Sequence, residues 1–257
     1  MNKSIKLLQI TDCHLQETPL TEFKGFYPDQ RLDAVIKHIE SQQLPIASFE
    51  HLLLSGDLAH CAKASVYQRI LDKTRHLANQ THWLAGNHDD VQVMQTFSDM
   101  QRNIVIDGDW AIVLLDSTAG ANGLGSGSLS TAELRFLSKV EQLPVAHILL
   151  ALHHPPVAFG SLWQDAIKLG NSSEFWQVLN ALTKVRAITF GHLHQEQYLK
   201  KGQLELFCTP ATAPQFKERQ ITPVLEDNPQ LAAPGYRLLE LHSDGKISTT
   251  VHRVPAS

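Results

Sequence analysis

The chain has 257 residues but only three cysteines, Cys13, Cys61 and Cys208, an odd number at unrelated spacings. That excludes a disulfide framework and points to a reducing compartment, so the expected location is cytoplasmic. No apolar run approaches the roughly 18 residues a membrane span needs, so no membrane partner is expected. The start, Met1-Asn2-Lys3-Ser4-Ile5-Lys6, runs straight into an apolar segment without a signal-peptide layout. Basic charge is not in excess: 22 Lys and Arg stand against 26 Asp and Glu, for a net charge of −4. The basic footprint of a nucleic-acid binder is therefore missing, and no nucleic-acid partner is expected. Serine hydrolysis lacks its Gly-x-Ser-x-Gly elbow. The glycine-rich stretch Gly120–Gly127 opens no Walker-type lysine motif and reads as a flexible loop.

Histidine is what the chain has in abundance, 14 residues, and six of them fall in short fragments with other metal-ligating types. The fragments are Asp12-Cys13-His14, Gly56-Asp57, Gly86-Asn87-His88-Asp89, His153-His154-Pro155-Pro156 and Gly191-His192-Leu193-His194. Together they supply the carboxylates, amide oxygen and imidazoles of a two-metal hydrolytic centre. The other eight histidines read as surface or packing residues.

The hydrophobic fraction, 43%, suffices for a sizeable core. Apolar runs at 5–10, 52–54, 83–85, 111–115, 147–152 and 186–190 read as strands, several buried on both faces. Helical spacing appears in Leu32, Val35, Ile36 and Ile39, and again in Phe175, Val178, Leu179 and Leu182. Asn171 with Glu174, and Ser130 with Glu133, resemble capping boxes ahead of helices. After about residue 190 the alternation stops. Segments 204–208, 236–241 and 247–252 read as strands, the last two joined by a turn at Ser243-Asp244-Gly245-Lys246. Pro210–Pro234 reads as a long loop. The expectation is an α/β fold in one domain spanning 1–257, with C-terminal antiparallel strands completing a sheet.

Each fragment follows an apolar strand, where ligands of α/β sheets cluster. A strand period of two would turn Asp12 and His14 to one side and Cys13 to the other. Gly56 permits a sharp turn, and Asp57 has two oxygens with which to bridge two ions. Out of context, Asp57 reads as the cap of a following helix. His60 reads as a loop histidine near the site. Asn87 offers an amide oxygen to a hard or borderline cation, and His88 beside it can remain off the metal as a proton donor. Asp89 or Asp90 can orient His88 or cap a helix. Of the adjacent pair, His153 is the expected ligand and His154 its neighbour. His192 and His194 share a face and can place one imidazole on each ion. A structural zinc site would need a compact, cysteine-rich ligand set, which this is not.

The order Asp-x-His, Gly-Asp, Gly-Asn-His, His, Gly-His-x-His resembles the calcineurin-like metallophosphoesterases. Four features are most similar to the bacterial class III 3′,5′-cyclic-AMP phosphodiesterases: residues 10–15, His153–Pro156, the segment Thr209–Lys217, and Pro234–Arg237 leading to 241–245. The resemblance implies a four-layer α/β/β/α sandwich of two mixed β-sheets. It implies that Asp12, His14 and His194 hold one divalent metal, that Asp57 bridges, and that Asn87, His153 and His192 hold the other. Mn, Fe and Zn suit such donors. It further implies His88, with Asn87, as catalytic, and attack by a metal-bridging hydroxide on 3′,5′-cyclic AMP or a related cyclic nucleotide. His154 and Phe216 are candidate substrate-lining residues. The alternatives are another phosphodiester, a 2′,3′-cyclic nucleotide or a phosphomonoester as substrate, or a non-catalytic binding scaffold. The loop Glu17–Tyr27 and the glycine-rich loop depart from the family pattern.

Overall fold

The computed structural model describes residues 4–42, 49–121 and 124–254. In chain order the elements are β1 (Ile5–Ile10), α1 (Pro28–Ser41), β2 (His51–Ser55), α2 (Ala64–Thr74), β3 (Gln80–Leu84), α3 (Val91–Met94), β4 (Ile104–Asp107) and β5 (Trp110–Leu114). There follow α4 (Thr131–Leu137), β6 (His147–Ala151), α5 (Leu162–Asp165), α6 (Ser172–Leu179), β7 (Val185–Phe190), β8 (Gln197–Lys201) and β9 (Leu204–Cys208). The chain closes with α7 (Pro229–Ala232), β10 (Gly235–Leu241) and β11 (Ile247–Arg253).

The strands form two mixed sheets, in the orders β11-β10-β1-β2-β3 and β4-β5-β6-β7-β9-β8. In the first sheet β1, β2 and β3 are parallel, and β10 and β11 pair antiparallel at the β1 edge. In the second, β5, β6, β7 and β9 are parallel, with β4 and β8 antiparallel at the two edges.

Alternation along the strands builds three cores. Leu7, Leu53, Leu84, Ile112, Leu149, Phe207 and Leu239 point between the sheets into one apolar layer. Their neighbours Leu8, Leu52 and Leu54 point the other way, against Leu32, Val35 and Ile36 of α1 and Val66, Tyr67 and Ile70 of α2. Likewise Val113, Ile148, Leu150 and Ile188 meet Leu137 of α4 and Phe175 and Leu179 of α6. The order is therefore α/β/β/α, four layers. Both faces of each sheet are covered, which is why the central strands are nearly continuous in Leu, Ile and Val.

A buried polar cluster centred on Gln9 interrupts the inter-sheet layer. Gln9 follows Ile5 and Leu7 on the same face, yet it is fully buried. Its amide donates to Ser55 Oγ (2.8 Å), and its carbonyl accepts from Thr189 Oγ1 (2.5 Å) and Thr209 Oγ1 (2.7 Å). Arg237 Nε in turn donates to Thr209 Oγ1 (3.1 Å). A satisfied buried network of this kind fixes the relative position of the two sheets. It does so one residue before the loop that carries Asp12.

Local expectations fare differently. Ser130 caps α4, its Oγ accepting from Glu133 N–H at 3.1 Å, but the Glu133 carboxylate turns to Asp116 N–H. Asn171 does not cap α6. Its side chain instead accepts from Leu129 N–H (2.9 Å) and donates to Leu129 O (2.8 Å), pairing with another loop. Strand β4 was not apparent in the sequence, because it is a four-residue edge strand with Ile106 half exposed. The glycine-rich loop is pinned rather than free. Ser128 N–H donates to Ala119 O (2.8 Å) and Gly170 N–H to Gly127 O (2.8 Å). Residues 122–123 of that loop lie outside the described residues.

Candidate metal centre

The five fragments converge where the parallel strands of both sheets end. Beyond β1 and β2 the two chains remain zipped: Asp12 N–H donates to Gly56 O (3.0 Å), His14 N–H to Asp57 O (2.9 Å) and Leu15 N–H to Leu58 O (3.0 Å). The expected strand alternation does not orient the ligands, however. Asp12, His14, Asp57, His192 and His194 all have left-handed backbone, with φ between 48° and 71°. Each alternate residue is turned back by its own φ, so Asp12 and His14 reach one site from a twisted loop. Non-glycine residues rarely adopt this conformation, and five together mark stored strain at a functional site.

Glycine makes two of these approaches feasible. A Cβ on Gly56 (φ +94°) would overlap the His153 ring, and one on Gly191 would overlap Thr11 Oγ1 and crowd Asp12 Oδ2. The motif glycines are thus required by the ligand side chains packed on them.

Two triads result. Asp12, His14 and His194 bring ligand atoms together, as do Asp57, His153 and His192, each set within 4.8 Å. All six residues are buried. His14 Nε2 is 3.1 Å from His194 Nε2, and His192 Nδ1 is 3.2 Å from His153 Nε2. Asp57 Oδ2 faces both triads, 3.5 Å from His14 Nε2 and 3.4 Å from His153 Nε2. Asp12 Oδ1 lies 3.4 Å from His194 Nε2 and 3.9 Å from His153 Nε2.

These residues fit a pair of divalent cations. Among the described residues, the buried atoms Asn87 Oδ1, His192 Nε2 and His14 Nδ1 have no hydrogen-bond partner. A buried unpaired acceptor beside two carboxylate–imidazole triads is one that a cation would satisfy. The donors are oxygen and nitrogen only. Cys13 is buried beside Asp12, but burial pushes its thiol up to about 12, so no thiolate competes. Burial holds His14 and His192 well below their ordinary pKa, leaving neutral imidazoles with a lone pair to offer. For Asp57, burial favours the acid, but the charge and hydrogen bond of His153 prevail and keep it ionised. For His153, burial favours the neutral ring, but Asp57 prevails and raises it to about 9.

Asn87 and His88 line the same cavity, and His88 N–H donates to Asp57 Oδ1 at 2.9 Å. Neither aspartate after it orients the His88 ring. Asp89 accepts from Leu58, Ala59 and Gly86 N–H and from Tyr67 Oη, bracing two ligand loops against each other. Asp90 caps α3 through Gln92 and Val93 N–H. His154 is buried next to His192, ring centroids 4.8 Å apart, but both its nitrogens are occupied. Nδ1 meets Ser117 Oγ (2.8 Å) and Nε2 meets Gly125 O (3.2 Å).

A cavity of about 390 Å³ opens over the triads. Phe216 lines it, wedged between Trp163 (5.0 Å between centroids) and His194 (5.2 Å). The segment before it is stitched to the centre: Ala213 N–H donates to Asp12 O (3.0 Å), and His194 Nδ1 contacts Pro214 O at 2.6 Å. Sequence reasoning missed Phe23, Lys24 and Trp163 in the cavity wall. It also missed how closely His60 packs, with its ring 4.7 Å from both Phe23 and His88. His14, His60 and His88 nitrogens also lie within 4.8 Å of one another. A histidine three residues after Asp57 was the only available signal.

This sandwich, with its two carboxylate–histidine triads at the strand ends, defines a hydrolase of the metallophosphoesterase class. Residues 5–196 match the model of the calcineurin-like phosphoesterase family, and the chain belongs to that family. It is 32% identical to the 3′,5′-cyclic adenosine monophosphate phosphodiesterase CpdA of Vibrio vulnificus, over 98% of this chain and 90% of that one. It is 34% identical to the protein of the same name in Escherichia coli, over 97% and 90%. It is 32% identical to a 3′,5′-cyclic-nucleotide phosphodiesterase of Nostoc, over 98% and 94%. Among solved structures, a dimetal phosphatase from Danio rerio has the same fold, with a TM-score of 0.60 at 12% identity, covering 97% of this chain and 99% of that one. Among the described residues no helix is long and apolar enough to cross a membrane.

Proposed function

We propose that this protein is a cytoplasmic two-metal phosphodiesterase acting on 3′,5′-cyclic AMP or a closely related cyclic nucleotide. The observation that carries the reading is the meeting of two triads in the floor of one cavity. Its volume, about 390 Å³, lies in the range of small-ligand pockets, roughly 300–1,000 Å³. The names of the relatives support the substrate class.

Asp12, His14 and His194 form one ligand set, and Asn87, His153 and His192 the other. Asp57, whose Oδ2 faces both sets, would serve both ions. Two divalent ions held there, Mn, Fe or Zn by donor type, would clamp the phosphate and supply a nucleophile from water near neutral pH. Asn87 and His88 stand on the cavity wall and stabilise the equatorial phosphoryl oxygens. His88 is exposed to the cavity and donates a proton to the departing ribose oxygen. Phe216 offers a ring face to the base, and His154 holds the Gly125 loop at the cavity rim.

The test is a steady-state comparison of 3′,5′- and 2′,3′-cyclic nucleotides, linear diesters and monoesters, with metal content measured on the same sample. Turnover of 3′,5′-cyclic AMP above that of simple monoesters, abolished by chelation, is expected. Inert cyclic AMP alongside rapid turnover of small diesters overturns the substrate.

A further inference from the structure

We propose that Trp163 is a specificity-determining residue of this pocket, its indole N–H donating to a ring-nitrogen acceptor of an adenine base lying against Phe216. The inference rests on the cyclic-nucleotide reading above and extends it to base recognition.

Trp163 Nε1 is buried and has no acceptor among the described residues. Two other tryptophans of the chain show the usual arrangement: Trp110 Nε1 donates to His242 O (2.8 Å) and Trp176 Nε1 to Pro156 O (2.8 Å). Buried indole N–H groups find partners because an unpaired one keeps its full desolvation penalty. Trp163 differs in its location, since its side chain forms part of the cavity wall. A ligand in the cavity is the available source of an acceptor.

The residue is also held in place. Its neighbour Gln164 donates through Nε2 to Leu193 O (2.7 Å), between the ligands His192 and His194, and accepts from Gln195 Nε2 (3.0 Å). The indole meets Phe216 nearly edge-on, at 73°, and Phe216 rests on the His194 ring. An unbroken row of rings thus leads from the metal-facing imidazole to the unpaired N–H. A phosphate on the triads with its base directed along Phe216 brings a ring edge to Trp163. An indole N–H only donates. It therefore selects a base with an unprotonated nitrogen at that edge and disfavours one with an N–H there.

The experiment uses the metal-loaded enzyme and W163F, which keeps an aromatic ring and removes the donor. Substrates are 3′,5′-cyclic AMP, its 1-deaza, 3-deaza and 7-deaza analogues, and bis(4-nitrophenyl) phosphate. Calorimetric binding of 5′-AMP to both proteins runs in parallel. W163F should raise KM for cyclic AMP, and Kd for 5′-AMP, by about three- to tenfold, the size of one neutral hydrogen bond. The aryl diester, which offers no ring nitrogen, should change clearly less than cyclic AMP. One deaza analogue should be a poor substrate for the wild type and show no further loss with W163F. Equal changes for the aryl diester and cyclic AMP, or an unchanged 5′-AMP affinity, would overturn the assignment. If W163F does not fold, the wild-type series decides, and three deaza analogues that behave like the parent overturn it. Cyclic AMP that is inert while 5′-AMP binds in a Trp163-dependent way removes the substrate reading and leaves this one. Normal turnover of cyclic AMP with W163F unchanged does the reverse.

Discussion

His153 Nδ1 stands 3.0 Å from the carbonyl of Ser55, the last residue of β2, and this contact decides which edge of the ring faces Asp57 and His192. A ring N–H directed at a backbone carbonyl leaves Nε2 facing Asp57 and His192. His194 is fixed the same way, by Nδ1 on Pro214 O. Backbone carbonyls behind imidazoles set their tautomer and raise their basicity as ligands. Ser55 belongs to the first sheet and His153 to the second, so closing the sandwich and orienting the ligand are one event.

The roles proposed for Asp57 and His88 should separate by mutation. Asp57 faces both triads, so Asp57→Ala should lose metal from both and abolish hydrolysis. His88 touches Asp57 only through its backbone N–H. His88→Ala should keep its metal, measured by atomic emission, while kcat falls by about 10²–10⁴, the usual range for a positioned proton donor. Loss of both ions from His88→Ala would move it into the ligand set.

The adjacent histidines should differ just as sharply. On the proposed ligand assignment His153→Ala removes a ligand, while the Ser55 carbonyl keeps its bond from Thr11 Oγ1 (3.1 Å), so metal content should fall. His154→Ala cuts the ties to Ser117 and Gly125 and removes ring packing on His153 and His192, but takes away no member of either triad. Metal should stay bound, and the cavity rim near Asn87 should loosen, raising KM several-fold. Retention of metal by His153→Ala with its loss from His154→Ala would exchange the two roles.

Gly191→Ala tests the close approach at the second sheet. The new Cβ would overlap Thr11 Oγ1 and crowd Asp12 Oδ2. Both belong to a buried loop with little room to yield, so overpacking should cost about 1–3 kcal/mol. Urea unfolding of metal-free protein should show that loss, and metal affinity should fall with it. A variant of wild-type stability and metal content would mean that the Thr11–Asp12 turn is softer than its hydrogen bonds suggest.

The convergence of the five fragments could be anticipated from the sequence because each combines residue types that are chemically distinctive and ends an apolar run. What could not be read depends on contacts between remote backbone groups. Nothing local in Asp89 indicates that its partners are the N–H groups of Leu58, Ala59 and Gly86. Left-handed backbone at Asp12, His14, Asp57, His192 and His194 runs against ordinary preference and is imposed by the tertiary structure. Asp12 and His14 do come together, with His194, but not through the strand alternation expected of them, which does not exist there. Trp163 was invisible because a lone tryptophan near a short helix looks like core, and only its unpaired N–H sets it apart.

Acid should destabilise the metal-free protein through a second histidine cluster, away from this centre. His82 of β3 is buried, with Nε2 3.1 Å from His51 Nδ1, and His51 Nε2 lies 3.3 Å from Asp107 Oδ2. Burial, then the neighbouring His51, lowers His82 from 6.5 to about 4. In the unfolded chain His82 takes up a proton near pH 6.5, whereas in the fold it does so only near pH 4. Between these values the unfolded state binds more protons, so stability falls as pH drops from 6.5 to 4 and is unaffected by this residue above 6.5. The shift corresponds to about 3 kcal/mol. The buried rings of His14, His192 and His154 are also lowered and add a slope of the same sign. His82→Gln keeps a polar group facing His51 but does not titrate. Its urea midpoint should therefore fall less steeply than that of the wild type between pH 6.5 and 4, with parallel curves above pH 7. Parallel curves throughout would show that His82 protonates in the fold as readily as in the open chain.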